Sequence, residues 1–279
     1  MELVRSAAAL RRTLALLRGR KSIGFVPTMG ALHAGHASLI RRARKACDVV
    51  VVSIFVNPTQ FGPKEDFSRY PRTIAADLAL CRKEGADVVF LPSVRAMYPD
   101  GAETFIDQIR LPRHLCGPLR PGHFRGVLTV VAKLFNLVGP DIAFFGQKDY
   151  QQAIVLRRMA RDLDFPVRLL VCPTVREPDG LAMSSRNRYL SAADRRRALA
   201  LWKALQLARR MVRAGRPDGT AIERAMRGVI RREAPGARID YAAVADPETL
   251  EPLRRVRGKA LAALAVRIGK TRLIDNLRV

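Results

Sequence analysis

The chain has 279 residues, 50 Lys and Arg against 25 Asp and Glu, a formal charge of +25 and 48% hydrophobic residues. A chain this apolar is not disordered, and its length fits one large or two ordinary domains. No apolar run approaches the roughly 18–20 residues of a membrane helix, and residues 1–21 alternate apolar with basic positions instead of forming a signal-peptide core, so a cytoplasmic protein is expected.

In chain order, residues 4–20 read as an amphipathic helix, with Leu10, Leu14 and Leu17 on one side. A short strand at 22–26 follows and is expected to stop at Pro27. A helix from about His36 to Cys47 leads to residues 48–56 (DVVVVSIFV), nearly all apolar and β-branched, as in a strand buried on both faces. Helices at about 71–85, 126–138 and 149–162 alternate with strands at 86–91, 141–145 and 167–172. That alternation predicts an α/β fold: a Rossmann-like parallel sheet with helices on both faces. Ligands then bind beyond the carboxyl ends of the strands. After Pro173 the texture changes. A polar loop at 174–188, helices at about 192–214 and 219–233, and strands at about 237–245 and 260–268 predict a smaller α+β domain. The expected domains are 1–174, which binds substrates, and 175–279, a lid.

Cys47, Cys81, Cys116 and Cys172 are scattered, without a CxxC pair, and read as small core residues; neither a metal site nor a disulfide framework is expected. The basic excess would suit a polyanion, and a nucleic-acid-binding protein is one reading of it. Yet the charge is spread along the chain and aromatic residues are only 6%, so an aromatic stacking surface for single strands is not indicated.

The unusual polar residues fall just after strands. Residues 27–36 (PTMGALHAGH) follow the first strand and open a helix, where backbone N–H groups and the helix dipole attract phosphate. His33 and His36, three apart, can lie on one face and add side-chain donors. Asn57 to Gly62 (NPTQFG) follow the second strand; an amide there can hold a small hydroxy acid, or the segment can be a polar turn. Residues 115–127 (LCGPLRPGHFRGV) form a shaped loop in which Arg120 and His123 serve an anion or the loop itself. Residues 145–152 (FGQKDYQQ) place Lys148 where it can neutralise a phosphate as charge builds, with Gln152 one helical turn on. Residues 173–187 (PTVREPDGLAMSSRN) put Ser184, Ser185 and Arg186 in a row, suited to wrapping a triphosphate.

The His33-Ala34-Gly35-His36 motif after the first strand resembles the HxGH nucleotidyltransferase superfamily. The segments PTMGALHAGH, VSIFVNPTQFGPKEDFSRYPRT, CGPLRPGHFRGV, FFGQKDYQQ and PTVREPDGLAMSSRNRYLS, in that order, resemble the pantoate–β-alanine ligase family across about residues 22–190. The resemblance implies ATP-dependent joining of (R)-pantoate to β-alanine through a pantoyl adenylate, with release of AMP and pyrophosphate. It implies that His33 and His36 bind the β and γ phosphates, with His36 as general acid, and that Lys148 stabilises the adenylation transition state. Ser184, Ser185 and Arg186 would close on the triphosphate. Met29, Gly30, Ala31, Leu32, Ala34, Gly35, Gly146, Gln147, Asp149, Val175 and Met183 would frame the nucleotide, and Gln60 and Gln152 would hold pantoate. Mg²⁺ would travel with ATP, with no metal cage of protein side chains, and a homodimer is implied. The other enzymatic reading is an adenylyltransferase of the same superfamily, whose product retains AMP.

Overall fold

A computed structural model describes all residues except Lys64, Arg216 and Pro217. By internal packing the chain divides into two compact units. The first comprises residues 1–109, 120–146 and 152–173; the second comprises 110–119, 147–151 and 174–279. Two short segments that precede the expected boundary near residue 174 therefore pack with the second unit.

The first unit is built on a six-stranded parallel sheet: β1 (Glu2–Val4), β2 (Ile23–Thr28), β3 (Val49–Ile54), β4 (Val88–Phe90), β5 (Ile142–Gly146) and β6 (Arg168–Cys172), in the order β1-β4-β3-β2-β5-β6. Its helices are α1 (Ala7–Arg18), α2 (Ala34–Ala46), α3 (Ile74–Lys83), the single turn α4 (Val94–Met97), α5 (His123–Val138) and α6 (Tyr150–Asp162). All six residues of β3 are buried, as its β-branched run predicts. The chain leaves β2 towards β3 and leaves β5 towards β6, so the order reverses between β2 and β5, which is where an open α/β sheet forms its ligand crevice.

Two expectations are corrected here. The helix expected over 4–20 spans Ala7–Arg18; Val4 instead ends an edge strand, Glu2–Val4, parallel to β4, and the helix begins after Ser6, whose hydroxyl accepts from the Ala9 N–H at 3.2 Å. Pro27 does not end its strand. It pairs opposite Ser53, and β2 runs on to Thr28. The backbone of Ile23 faces β5 and that of Thr28 faces β3, so alternation turns the missing Pro27 N–H towards β5. The β2–β5 ladder has already ended there at Phe25–Ala143, so no ladder bond is lost.

The second unit packs α7 (Ala192–Arg213) and α8 (Gly219–Glu233) on an antiparallel sheet of β7 (Arg238–Ala245), β8 (Leu261–Ile268) and β9 (Thr271–Arg278). Leu201, Leu205, Ile222, Met226, Val244, Leu264 and Val266 form its core. β9 adds to the two strands expected from sequence; it follows β8 through the two-residue turn Gly269-Lys270. All four cysteines are buried and free. Several arginines are structural: Arg44 pairs with Asp87 at 2.7 Å, Arg120 with Glu65 at 2.6 Å and Arg176 with Asp275 at 2.6 Å. Among the described residues, no helix is long and apolar enough to cross a membrane.

Candidate active site

In the first unit the loop after β2 runs directly into α2. His33 is the N-cap: its Nδ1 accepts from the Gly35 N–H at 3.1 Å, while His36 Nδ1 accepts from the His33 N–H at 3.3 Å. This is a capping box made by two imidazoles, with ring centroids 4.2 Å apart. A ring nitrogen that accepts a backbone N–H carries no proton. Each imidazole therefore bears its N–H at Nε2, away from the cap. The tautomer follows from the fold, and it makes both rings hydrogen-bond donors.

The loop itself is held by Asp77 of α3, a buried carboxylate. Its Oδ2 accepts from Ala31 N–H at 3.0 Å and its Oδ1 from Leu32 N–H at 2.8 Å and Thr73 Oγ1 at 3.1 Å. Ala31 sits at φ 50°, a left-handed conformation that those bonds help to maintain. The backbone donors at 31, 32, 33 and 35 are thus engaged within the chain.

Gln60 is buried at the end of a 3₁₀ turn after β3. Asn57 Nδ2 donates to its Oε1 at 3.1 Å and to the Gly126 carbonyl at 3.1 Å. Asn57 Oδ1 accepts from Thr59 N–H, Thr59 Oγ1 and the Tyr98 hydroxyl. A carbonyl on one side and an N–H on the other leave Asn57 a single amide orientation, and that orientation fixes Gln60. Gln60 Nε2 faces the Met29 sulfur at 2.8 Å, a weak acceptor. Gly126 is required here because a Cβ would collide with the Thr59 backbone.

Arg120 and His123 serve this turn. Arg120 binds Glu65 in a bidentate pair, at 2.6 Å on each oxygen, and His123 Nδ1 donates to the Gln60 carbonyl at 2.9 Å. His123 Nε2, thereby an acceptor, takes a guanidinium N–H of Arg120 at 2.9 Å. Burial pushes the Glu65 carboxyl up, but the paired guanidinium outweighs it and holds the carboxyl below its ordinary range. These two residues are scaffolding for Gln60. Gly146 ends β5, and a Cβ on it would meet nothing within 4 Å. Gln152 lies half-buried on α6.

In the second unit, Gln147, Lys148 and Asp149 form a 3₁₀ turn that precedes α6, so Lys148 is not on the helix as the spacing argument assumes. Lys148 Nζ lies 3.6 Å from Asp149 Oδ1. Val175 and Met183 close a pinned hairpin, in which Arg176 bridges Ala182 and Met183 N–H donates to the Val175 carbonyl at 3.0 Å; Ser184, Ser185 and Arg186 follow it directly. Ser184 Oγ accepts from Arg186 N–H at 3.3 Å, capping the turn Ser185–Tyr189. Arg195 of α7 grips Glu177 and Asp179 at 2.6 and 2.7 Å. Gln151, beside Gln152, is structural: it accepts from Cys116 N–H and donates to the Leu111 and His114 carbonyls. Sequence reasoning did not single out Asp77, Glu65, Tyr98, Asp275 or Asn276. Among the described residues, no three His, Cys, Asp or Glu side chains gather into a metal site.

The sequence matches the family model for pantoate-beta-alanine ligase over residues 2–278. It is 55% identical over 278 residues to a pantothenate synthetase of Moorella thermoacetica, covering 99% of this chain and 98% of that one. The fold superposes on the crystal structure of pantothenate synthetase from Thermus thermophilus with a TM-score of 0.95, 48% identity and 99% of each chain covered. It is also similar to a pantoate-beta-alanine ligase from Francisella tularensis, solved with beta-gamma ATP and beta-alanine, at a TM-score of 0.81 and 35% identity over 99% of this chain and 97% of that one. Motifs, fold and full-length similarity agree, and the chain belongs to the pantoate–β-alanine ligase family.

Proposed function

We propose that the chain joins (R)-pantoate to β-alanine at the expense of ATP, by adenylating pantoate first. Hydroxide leaves a carboxylate poorly, so direct amide formation is slow. Attack of the pantoate carboxylate on the α-phosphate expels pyrophosphate and installs AMP as the leaving group. The β-alanine amine then attacks the acyl carbon, the C–O bond to AMP breaks, and pantothenate and AMP depart.

The observation that carries this reading is the imidazole capping box, which sets two Nε2–H donors at the start of α2. His33 and His36 bind the β and γ phosphates through them. With Nδ1 occupied by a backbone N–H, His36 is suited to stabilising the departing pyrophosphate as a hydrogen-bond donor, in place of the full proton transfer expected of a general acid. Gln60 offers Nε2–H groups to an oxygen of pantoate, a better acceptor than the Met29 sulfur, and Gln152 holds a second oxygen. Lys148 balances charge at the α-phosphate, and Ser184, Ser185 and Arg186 bind the triphosphate. Met29, Gly30, Ala31, Leu32, Ala34, Gly35, Gly146, Gln147, Asp149, Val175 and Met183 contact the nucleotide. Magnesium enters as part of the ATP substrate, held mainly by the phosphates.

Three further parts belong to this reading: a homodimer, from the family likeness; a cytoplasmic location, from the basic-interrupted N-terminal pattern; and a lid role for residues 175–279, because a hydrolysable adenylate needs water excluded. Sedimentation analysis tests the first. For the lid, ATP plus pantoate is expected to lower the radius of gyration in small-angle scattering, and identical profiles contradict it. The catalytic reading is tested by Lys148→Ala, which is expected to fold and to lose about 10²–10³-fold in turnover. Near-normal turnover of that variant overturns it.

A further inference from the structure

Asp275 and Asn276 are adjacent on β9, and both are buried, at 3% and 4% exposure. Two polar residues in the interior of a strand need partners, and theirs lie in two different segments of the same unit. Asn276 Nδ2 donates to the Gln147 carbonyl at 2.9 Å and to the Lys148 carbonyl at 2.8 Å. Two carbonyls can only accept, so the amide has one orientation, and it clamps the turn that carries Lys148.

Asp275 holds Arg176 through two bonds of 2.6 and 2.9 Å, and accepts from the Asn276 N–H at 2.8 Å. The Arg176 guanidinium lies 3.8 Å from the centroid of the Trp202 ring and donates to the Gly180 carbonyl at 3.0 Å. Gly180 is required at that contact, since a Cβ would enter the indole. Arg176 in turn pairs with Ala182 in the hairpin that closes at Met183, immediately before Ser184, Ser185 and Arg186.

We propose that Asp275 and Asn276 form a bracket on β9 that fixes the Lys148 turn and the Ser184–Arg186 segment relative to each other, making Asn276 a positioning residue for adenylation. This rests on the role given to Lys148 above. A chemical step driven by charge stabilisation is sensitive to displacements of about 1 Å, which cost roughly 10²-fold. The bracket therefore acts on turnover more than on substrate binding.

The test compares wild type, Asn276→Ala, Asn276→Ser, Lys148→Ala and the Lys148→Ala/Asn276→Ala double variant. Pantoate-dependent pyrophosphate release is measured in MgATP, and amide hydrogen exchange is followed across residues 147–151. Asn276→Ala is expected to lower kcat about 10–100-fold, with KM for ATP and pantoate within about threefold, and to speed exchange across 147–151. Asn276→Ser, which keeps one donor, recovers part of the rate, and carries the comparison if the alanine variant does not fold. In the Lys148→Ala background, Asn276→Ala adds less than about threefold, because it acts through a side chain already removed. Unchanged exchange, unchanged kcat, or losses that multiply in the double variant overturn the bracket. Wild-type protein that releases no pyrophosphate overturns the functional reading and the kinetic role with it, whereas unchanged exchange in an active enzyme overturns the bracket alone.

Discussion

Asn57 Nδ2 lies 3.1 Å from Gln60 Oε1, and this contact decides which end of the Gln60 amide faces outward from the pair. Asn57 is 1% exposed and bonded on both sides of its amide, so it has no alternative orientation. Asn57→Asp removes the donor and sets a buried carboxylate against two oxygens. Gln60 is then expected to turn its N–H groups inward, and KM for pantoate to rise at least about tenfold while KM for ATP changes little. Steady-state kinetics with each substrate varied in turn checks this; equal changes in both KM values contradict it.

Asp77 is the corresponding support for the histidine loop. Asp77→Ala leaves the Ala31 and Leu32 N–H groups without their partner, at about 1–3 kcal/mol for each. A lowered thermal midpoint together with a raised KM for ATP is expected. An unchanged KM for ATP contradicts the claim that this loop's shape matters to nucleotide binding.

Glu65 gives a pH signature. Its folded carboxyl titrates below the ordinary range because Arg120 outweighs burial. The pair's stabilisation is therefore fully present above the unfolded value of about 4.3 and is lost as pH falls through the lower folded value. Glu65→Gln is expected to be less stable than wild type at neutral pH, with the gap closing in acid. Thermal midpoints of both proteins across pH check this; a gap that widens below pH ~4 contradicts it.

Gly146 separates packing from ligand approach. Unlike Gly126 and Gly180, it has open space where a Cβ would sit. Gly146→Ala is therefore expected to leave the thermal midpoint within about 1 °C while weakening ATP several-fold, as read by calorimetric titration; a ΔΔG within about 0.5 kcal/mol is typical where no neighbour is disturbed. Normal ATP affinity removes Gly146 from the nucleotide site.

Much of this was legible in the sequence because period and punctuation carried it. The Val49–Ile54 run and the polar motifs after β2, β3 and β5 placed both the sheet and the candidate residues. What escaped was polarity in places where a pattern search expects apolar residues. Asp77 stands with Ile74, Leu78 and Cys81 at helical spacing, so an acid on that stripe signalled a buried carboxylate with backbone partners. β9 follows a Gly-Lys turn, a hairpin signal, but Asp275 and Asn276 break the alternation that marks a strand. β1 is three residues long and gains its strand character only from pairing with β4. The orientation of the Gln60 amide and the imidazole tautomers depend on contacts far apart in sequence, and no local pattern encodes them.

The central claim is a ligase that adenylates pantoate before β-alanine reacts. Its most direct test incubates the purified protein with ATP, Mg²⁺, (R)-pantoate and β-alanine, omitting each in turn, and assays AMP, pyrophosphate and pantothenate. The account predicts pantothenate and AMP together only in the complete mixture, with pyrophosphate released in the absence of β-alanine but not of pantoate. Folded protein that yields no pantothenate, or that releases pyrophosphate without pantoate, contradicts it.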